Sequence, residues 1–271
     1  MRQTLQLLMV LGACAAILLA GYWLRREHAS GQLVLPPPLS ATSSAWVAEA
    51  PTAQSSATST PAAPASSSVV VVPPKPAAPA LLRSLRLNVP FLSQAPNKNW
   101  DMPYQEACEE ASMLMVQAFF AGQTTRFSAD TGDAAILAFV DWQAKRFGAD
   151  VVDLTANQVV EAIHEYMPEL EAEVKPLQNA DDIKQELAKG FPVILPADGK
   201  TLANPRFRNG GPRYHMLVIK GYLDDGRWIT NDPGTQFGED FVYPQENLLT
   251  SAHDWNDGDV PNGASVMVVV K

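Results

Sequence analysis

Cysteine is scarce in this sequence, and so are the motifs that bind metals and nucleotides. Only two cysteines occur among 271 residues. Cys14 lies inside an apolar N-terminal run, which leaves Cys108 as the single cysteine of the remaining chain. One cysteine cannot form an internal disulfide, and neither Cys-x-x-Cys nor His-Glu-x-x-His zinc spacing is present. The glycine-rich loops that hold phosphates and dinucleotides are also missing, so the sequence predicts no metal and no cofactor.

Positive charge is scarce as well. The chain carries 20 Lys and Arg residues against 29 Asp and Glu residues, which gives a formal net charge of -9. The sequence shows no basic patch of the kind that contacts a phosphate backbone. Nucleic acid is therefore not an expected partner, and the oligomeric state stays open because the composition does not address it.

Residues 5–24 (LQLLMVLGACAAILLAGYWL) form an uncharged apolar run with the length of one membrane-spanning helix. Arg25 and Arg26 end this run. A cleaved signal peptide is the alternative, because Arg2 provides a short basic start, but the run is long for such a peptide. We therefore predict a single-pass transmembrane anchor over residues 1–28, with the membrane as a partner.

A segment rich in proline, alanine, serine and threonine follows over residues 29–84. It includes a Ser/Thr/Ala run at 52–68 and the sequence PPKP at 73–76. Such a composition cannot bury a hydrophobic core, so we expect a disordered tether. A tether of this kind holds a domain away from a membrane. We expect that domain to lie outside the cytoplasm, although Arg25 and Arg26 favour a cytoplasmic flank by charge counting alone.

From residue 85 to residue 271 the composition becomes that of a globular domain. Thr155 with Gln158 is the pattern of a helix capping box. Periodicity predicts helices at 108–121, 133–147, after 155 and at 179–189, and strands at 85–89, 191–195, 216–222, 228–231, 241–243 and 266–270. Because the helices come first and the strands follow, we predict an α+β fold with N-terminal helices packed on an antiparallel sheet.

Cys108 lies where a turn-rich loop meets an apolar-periodic run that includes Met113, Val116 and Phe120. This run predicts a buried helix with Cys108 in its first turn. The positive end of a helix dipole favours the thiolate, which is how cysteine nucleophiles are commonly activated. The alternative is a small apolar residue packed in a core, since free cysteines are often buried.

His215 and Asp232 are the candidate partners of Cys108. His215 directly precedes the strand 216–222, and Asp232 directly follows the strand 228–231. If these strands pair antiparallel around the intervening turn, their outer ends meet and the imidazole becomes a neighbour of the carboxylate. Considered singly, the histidine is a residue at a strand end and the aspartate is a turn residue before proline. Together with the cysteine they form a predicted nucleophile, base and orienting group.

Four segments carry a resemblance to a known family: 89–94 (VPFLSQ), 108–112 (CEEAS), 214–222 (YHMLVIKGY) and 231–234 (NDPG). They resemble the papain-like cysteine peptidase family thirty-nine (the bacteriocin-processing-peptidase-like domain) in its broad bacterial branch. The most specific part is the histidine strand followed by Asp-Pro. The resemblance implies a papain-like fold for the domain.

The resemblance also implies four catalytic residues: Cys108 as nucleophile, His215 as general base, Asp232 as orienting group and Gln94 as donor to the oxyanion. Two features depart from the family pattern. Glu109 follows the cysteine, where the family often has glycine, and its charge opposes a lowered thiol pKa. The interval from Gln94 to Cys108 is long for a papain-like arrangement, so Gln105 competes for the donor role.

The sequence thus predicts a membrane-anchored cysteine peptidase that acts on a peptide or protein substrate. The main alternative is a catalytically inactive module on the same fold that binds peptides or cell-wall fragments; the presence of all three triad residues argues against it. Acyl or amide transfer is a third hypothesis, since an acyl-enzyme can react with an amine as well as with water. The expected location is the cell membrane, with the catalytic domain outside the cytoplasm.

Overall fold

The computed structural model describes residues 81–149 and 153–271. All of these residues belong to one compact unit. The predicted anchor over 1–28 and all but the end of the predicted linker over 29–84 lie outside the described residues, so both stay predictions. None of the helices that the structure describes is long and apolar enough to cross a membrane.

The described part of the chain contains five α-helices and seven β-strands. The helices are α1 (Cys108–Phe120), α2 (Ala129–Phe147), α3 (Ala156–Tyr166), α4 (Ala180–Ala188) and α5 (Gln245–Ser251). The strands are β1 (Leu85–Arg86), β2 (Ala172–Pro176), β3 (Val193–Ala197), β4 (His215–Tyr222), β5 (Trp228–Asn231), β6 (Phe241–Tyr243) and β7 (Val266–Val270). The predicted α+β class is confirmed.

All seven strands form one antiparallel sheet. The strand order is β2-β7-β3-β4-β5-β6, and β1 pairs with β4. β4 is central: on one side Ala197 of β3 lies opposite His215, and on the other side Asn231 of β5 lies opposite Val218. The β4–β5 hairpin therefore brings the start of β4 close to the end of β5, as the sequence predicted.

Two hydrophobic cores cover the two faces of this sheet. Successive side chains of a strand point to opposite faces, so Met216 and Val218 join the core with α1, α2 and α3. Leu217 and Ile219 join the second core, with α4 and α5. Every residue of β4 is buried. A strand that is covered on both faces has a continuous apolar sequence, which explains the run MLVI at 216–219.

Local capping signals locate the helix starts. Thr155 and Gln158 form the predicted capping box, with hydrogen bonds in both directions, at the start of α3. The second helix begins at Ala129 rather than at 133, because the Ser128 side chain accepts a hydrogen bond from the Thr131 N–H and caps the helix earlier.

Two elements escaped prediction, and one strand is shorter than predicted. β2 has the sequence AEVKP, whose low β propensity gives no strand signal. It is an edge strand that pairs with β7. α5 is short and polar. The strand predicted at 85–89 narrows to Leu85–Arg86, because the Val89 carbonyl is bound by the side chains of Lys220 and Asn231 instead of a neighbouring strand.

Candidate active site

Cys108 is the first residue of α1 and lines a cleft of about 1010 Å³. The helix starts directly after Ala107, whose side chain provides no cap. The N–H groups of the first turn therefore have no acceptors in a preceding helical turn, and Cys108 lies at the positive end of the helix dipole. The cysteine is 5% exposed. Its position at the helix start agrees with the prediction from sequence.

His215 and Asp232 are in direct contact. His215 opens β4, Asp232 follows the last residue of β5, and the ring Nε2 lies 2.8 Å from Oδ1 of the carboxylate. Both side chains are buried, at 1% and 0% exposure. The contact engages Nε2 and leaves Nδ1 as the second ring nitrogen. The imidazole lines the same cleft as Cys108.

Three further groups hold the Asp232 carboxylate. Its Oδ2 accepts hydrogen bonds from Nδ2 of Asn204, at 2.9 Å, and from the Tyr243 hydroxyl, while Oδ1 accepts one from the Gly234 N–H at 2.9 Å. Burial raises the pKa of Asp232, but the charge and hydrogen bond of His215 and the other donors outweigh burial and bring the pKa below its ordinary value. Asp232 is therefore an ionised carboxylate in a fixed orientation.

Phe207 and Gly234 confine the imidazole ring of His215. The Phe207 ring meets it edge-on, with the ring centroids 5.1 Å apart and an interplanar angle of 79°. Gly234 approaches so closely that an added Cβ would lie 2.8 Å from Cε1 of the imidazole. Any larger residue at position 234 would displace the ring, which gives the glycine of the NDPG segment a steric role.

The Cys108 sulfur contacts Glu109 and β4 in this structure. The thiol donates a hydrogen bond to Oε2 of Glu109 at 3.0 Å, and the sulfur accepts one from the Met216 N–H at 3.4 Å. Among the described residues, no hydrogen bond joins Cys108 to His215. The two side chains line one cleft, but the thiol rests against an acid rather than against the imidazole.

Burial raises the pKa of the Cys108 thiol well above its ordinary value, and the neighbouring Glu109 raises it further. The Met216 N–H acts in the opposite direction but has a smaller effect. The expectation that the helix N-terminus favours the thiolate is therefore wrong for this conformation. Glu110 is buried as well, and burial raises its pKa to about 8. Burial and the acidic neighbours thus favour the neutral thiol in this conformation.

Gln94 and Gln105 occupy different environments. Gln94 is 4% exposed and lines the cleft, and its Nε2 donates hydrogen bonds to the carbonyls of Tyr104 and Gln105, each at 2.9 Å. Gln105 also lines the cleft, but it is exposed, and its amide nitrogen donates to the Glu106 carboxylate. Gln94 therefore holds the turn that directly precedes Cys108, and both hydrogens of its amide nitrogen are engaged.

Asn204, Phe207 and Tyr243 belong to the site although sequence reasoning did not identify them. Asn204 and Phe207 lie in the loop between β3 and β4, and Tyr243 ends β6. The hairpin argument reaches only residues that adjoin β4 and β5. The available signal was the strand FVY at 241–243, because a tyrosine on a strand next to β5 can carry a hydroxyl to the aspartate that ends β5.

The cleft wall combines aromatic rings with charges of both signs. Trp100, Phe237 and Trp255 line it, together with two carboxylates, Glu106 and Asp153. Across residues 81–149 and 153–271, no group of three or more His, Cys, Asp or Glu side chains is arranged to hold a metal ion.

Comparisons with known proteins identify the family. A protein described as a C39-like peptidase from Bacillus anthracis is similar over 69% of this chain and 97% of its own, with 14% identity and a TM-score of 0.44. Digestive procathepsin L 3 of the Tenebrio molitor larval midgut is similar over 69% of each chain, with 12% identity and a TM-score of 0.41. No curated protein matches. The sequence model of the Peptidase_C39 like family matches residues 86–257, more than half of the chain, so the chain belongs to that family and carries a cysteine peptidase-like domain.

Proposed function

We propose that the domain hydrolyses peptide bonds through Cys108, His215 and Asp232. The observation that supports this most is the 2.8 Å contact between His215 and Asp232 at the cleft that Cys108 lines. A buried carboxylate that holds an imidazole fixes its tautomer and stabilises its protonated form. Membership of a peptidase-like family points to a peptide or protein as the substrate.

The first step is proton transfer from the Cys108 thiol to Nδ1 of His215. This step requires the thiol to leave its contact with Glu109 for the imidazole that lines the same cleft. The sulfur then attacks the carbonyl carbon, and the imidazolium returns the proton to the amine as the C–N bond breaks. Water, deprotonated by the same imidazole, cleaves the thioester, which releases the acid product and restores the thiol.

The negative oxygen of the tetrahedral intermediate needs two fixed donors. The Cys108 N–H at the start of α1 is one of them. Gln94 is the second in this proposal, because it lines the cleft and is buried beside the turn before the nucleophile. To donate to the oxyanion, its amide exchanges one of the carbonyl contacts of the turn for the substrate oxygen.

The proposed location is the outer side of the cell membrane. Residues 1–28 serve as the anchor, and residues 29–84 serve as the tether that separates it from the domain. The uncharged run at 5–24 and the proline- and serine-rich composition that follows it support this arrangement.

A peptide-library digest by the full-length chain tests hydrolysis, with Cys108→Ala as the matched control. We expect new peptide termini, detected by mass spectrometry, with the wild-type chain and none with the variant. Cleavage of the library at the same sites by the variant would refute the proposal.

A non-catalytic peptide-binding module is the second candidate function. The raised pKa of Cys108 and its hydrogen bond to Glu109 favour this reading, since a neutral thiol is a poor nucleophile. The two candidates differ in how iodoacetamide labels Cys108 at neutral pH. If the domain is a peptidase, the rate at which iodoacetamide labels Cys108 should fall strongly in His215→Ala. If it is a binding module, Cys108 should be labelled slowly both in the wild-type chain and in this variant.

A further inference from the structure

Two of the three arginines that line the cleft have neither an ion pair nor a side-chain hydrogen bond within the described residues; the third, Arg213, donates from Nε to the Gly258 carbonyl. Arg206 and Arg208 are exposed and line the cleft, and neither forms an ion pair among the described residues. Other arginines of the domain do pair with carboxylates: Arg86, Arg126, Arg146 and Arg227. In a chain of net charge -9 acidic partners are plentiful. Free guanidinium groups at the cleft therefore indicate a ligand that brings its own negative charge.

The loop that carries these arginines is anchored to the Asp232 carboxylate. Asn204 donates from Nδ2 to Asp232, and its Oδ1 accepts a hydrogen bond from the Arg206 N–H at 2.9 Å. The Asn204 carbonyl accepts another from the Phe207 N–H at 3.1 Å. One asparagine thus positions both the carboxylate of the triad and the backbone of the arginine loop.

Phe207 fixes the distance between the arginines and the imidazole. Its ring lies 5.1 Å from the His215 ring, and Arg206 and Arg208 are its direct neighbours in sequence. Neighbouring Cα atoms are about 3.8 Å apart. A peptide whose scissile bond lies at the imidazole therefore has its next one or two side chains within reach of the guanidinium groups.

Phe237 adds an apolar surface beside this charge. It is 67% exposed, and the Arg206 guanidinium carbon lies 5.1 Å from its ring centroid. Arg208 makes no side-chain hydrogen bond, ion pair or ring contact within the described part of the chain, so all of its donors remain available. An aromatic ring with an adjacent guanidinium suits a side chain that has an aliphatic stem and a carboxylate end.

The helix side of the cleft carries the opposite charge. Glu106 lies two residues before Cys108, and Asp153 lines the same cleft. Burial raises the pKa of Asp153 to about 6, and the nearby Glu106 adds to the rise. A carboxylate ligand is repelled there and attracted to the arginine loop, so the two walls impose one direction on a charged peptide.

We propose that Arg206 and Arg208 bind a carboxylate of the peptide substrate within two residues of the scissile bond, which makes acidic peptides the substrate class. This inference rests on the proposed peptidase function, because it uses the same cleft. The carboxylate belongs either to a Glu or Asp side chain or to the C-terminus of the peptide.

Matched decapeptide libraries test the inference with the full-length chain. All positions are random small and apolar residues except one, which is Glu in one library and Gln in the other, and both libraries are amidated. A third library keeps Gln and has a free C-terminus, which distinguishes a terminal carboxylate from a side chain. Cleavage is followed by mass spectrometry with the wild-type chain. Binding is followed by fluorescence anisotropy with Cys108→Ala, using a neutral fluorophore.

We expect the Glu library, or the library with free C-termini, to be cleaved and bound about three- to ten-fold better than amidated Gln, as charge-assisted contacts at a partly exposed site imply. The preference should weaken in high salt. It should disappear in the double variant Arg206→Gln, Arg208→Gln, persist in Arg206→Lys, and be unchanged in Arg83→Gln, which alters an exposed arginine outside the cleft.

Four results separate this inference from the peptidase proposal. Cleavage with equal rates and equal binding for all libraries would overturn the inference and leave the peptidase standing. Preferential binding of carboxylate libraries without any cleavage would support the inference and overturn the peptidase. A carboxylate preference that survives the double variant would overturn the arginine assignment. If the double variant does not fold, the single variant Arg208→Gln tests the inference, since this side chain makes no contact that the substitution could break. An unchanged carboxylate preference in this variant would overturn the role of Arg208, and a reduced preference would support it.

Discussion

The sulfur of Cys108 accepts a hydrogen bond from the main-chain N–H of Met216, the residue next to His215. The cysteine side chain therefore connects the start of α1 directly to the start of β4. Substitution of Cys108 removes this contact, whereas the pairing of β4 with β3 and β5 does not depend on the sulfur and should keep the architecture of the site.

We expect Cys108→Ala to abolish hydrolysis while the domain stays folded. The change removes one sulfur from the cleft wall and deprives the Met216 N–H of its acceptor, which costs about 1–3 kcal/mol of the free energy of unfolding. Mass spectrometry of the digest measures the first effect, and circular dichroism melting measures the second. Wild-type turnover in a folded Cys108→Ala chain would exclude this cysteine as the nucleophile.

His215→Ala should lose nearly all activity, and Asp232→Ala should lose less, because an orienting group is partly replaceable. The aspartate variant should also be less stable, since Asn204 and Tyr243 then keep buried donors without their acceptor. The values of kcat/KM for both single variants and the double variant provide the check. If the two residues act as a unit, kcat/KM of the double variant should be no lower than that of His215→Ala. If the two single losses multiply in the double variant, the residues act independently.

The stability of the domain should fall as the pH rises from about 5 to about 8. Burial raises the pKa of Glu110 from 4.5 to about 8, so the folded state binds this proton more tightly than the unfolded state. The resulting stabilisation is fully present below pH 4.5 and is lost as the pH passes through 8. Glu110 contributes at most roughly 1.4 kcal/mol per pH unit to this fall in the free energy of unfolding, and Glu109 and Asp153, whose pKa values burial also raises, add to it.

Urea denaturation at a series of pH values measures this decline. Glu110→Gln should make the decline shallower, because the amide does not titrate while Glu109 and Asp153 remain. Glu246→Gln, at an exposed position on α5, is the matched control and should leave the decline unchanged. A pH-independent stability of the wild-type chain would show that the Glu110 carboxyl is ionised and accommodated in the folded state.

Gln94→Ala should lower turnover by about a hundred- to a thousand-fold, the usual effect of removing one oxyanion donor. It should also lower the free energy of unfolding by about 1–3 kcal/mol, because the Tyr104 and Gln105 carbonyls lose their donor. Gln105→Ala is the control, since that side chain is exposed and its amide nitrogen donates to Glu106. A reversed order of the two effects on kcat would transfer the donor role to Gln105.

Protease treatment of intact cells should release the domain by cutting within residues 29–84. A proline- and serine-rich segment without a core is accessible to proteases, whereas the folded domain resists them. Immunoblotting with an antibody against the domain detects the released fragment, and spheroplasts replace cells where an outer membrane is present. Protection of the chain until the inner membrane is lysed would place the domain on the cytoplasmic side.

Sequence reasoning located His215 beside Asp232 because their contact joins neighbouring strand ends, and a hairpin is a local pattern. The state of the thiol depends on longer-range contacts. Glu109 is buried in part because its Oε1 accepts a hydrogen bond from the Leu154 N–H, across a separation of 45 residues. The sequence indicated that the charge of Glu109 opposes a lowered thiol pKa, but no periodicity or capping signal reports the burial that has the larger effect on Cys108.

β7 is the last strand of the described chain, yet it lies in the sheet between β2 and β3. β2 pairs with the rest of the sheet only through β7, with Ala172 opposite Val270. During synthesis, β2 therefore leaves the ribosome long before its partner exists. The sheet is complete only after residue 270 has emerged from the ribosome. A nascent chain that stops before β7 therefore exposes the apolar side chains that this strand would cover.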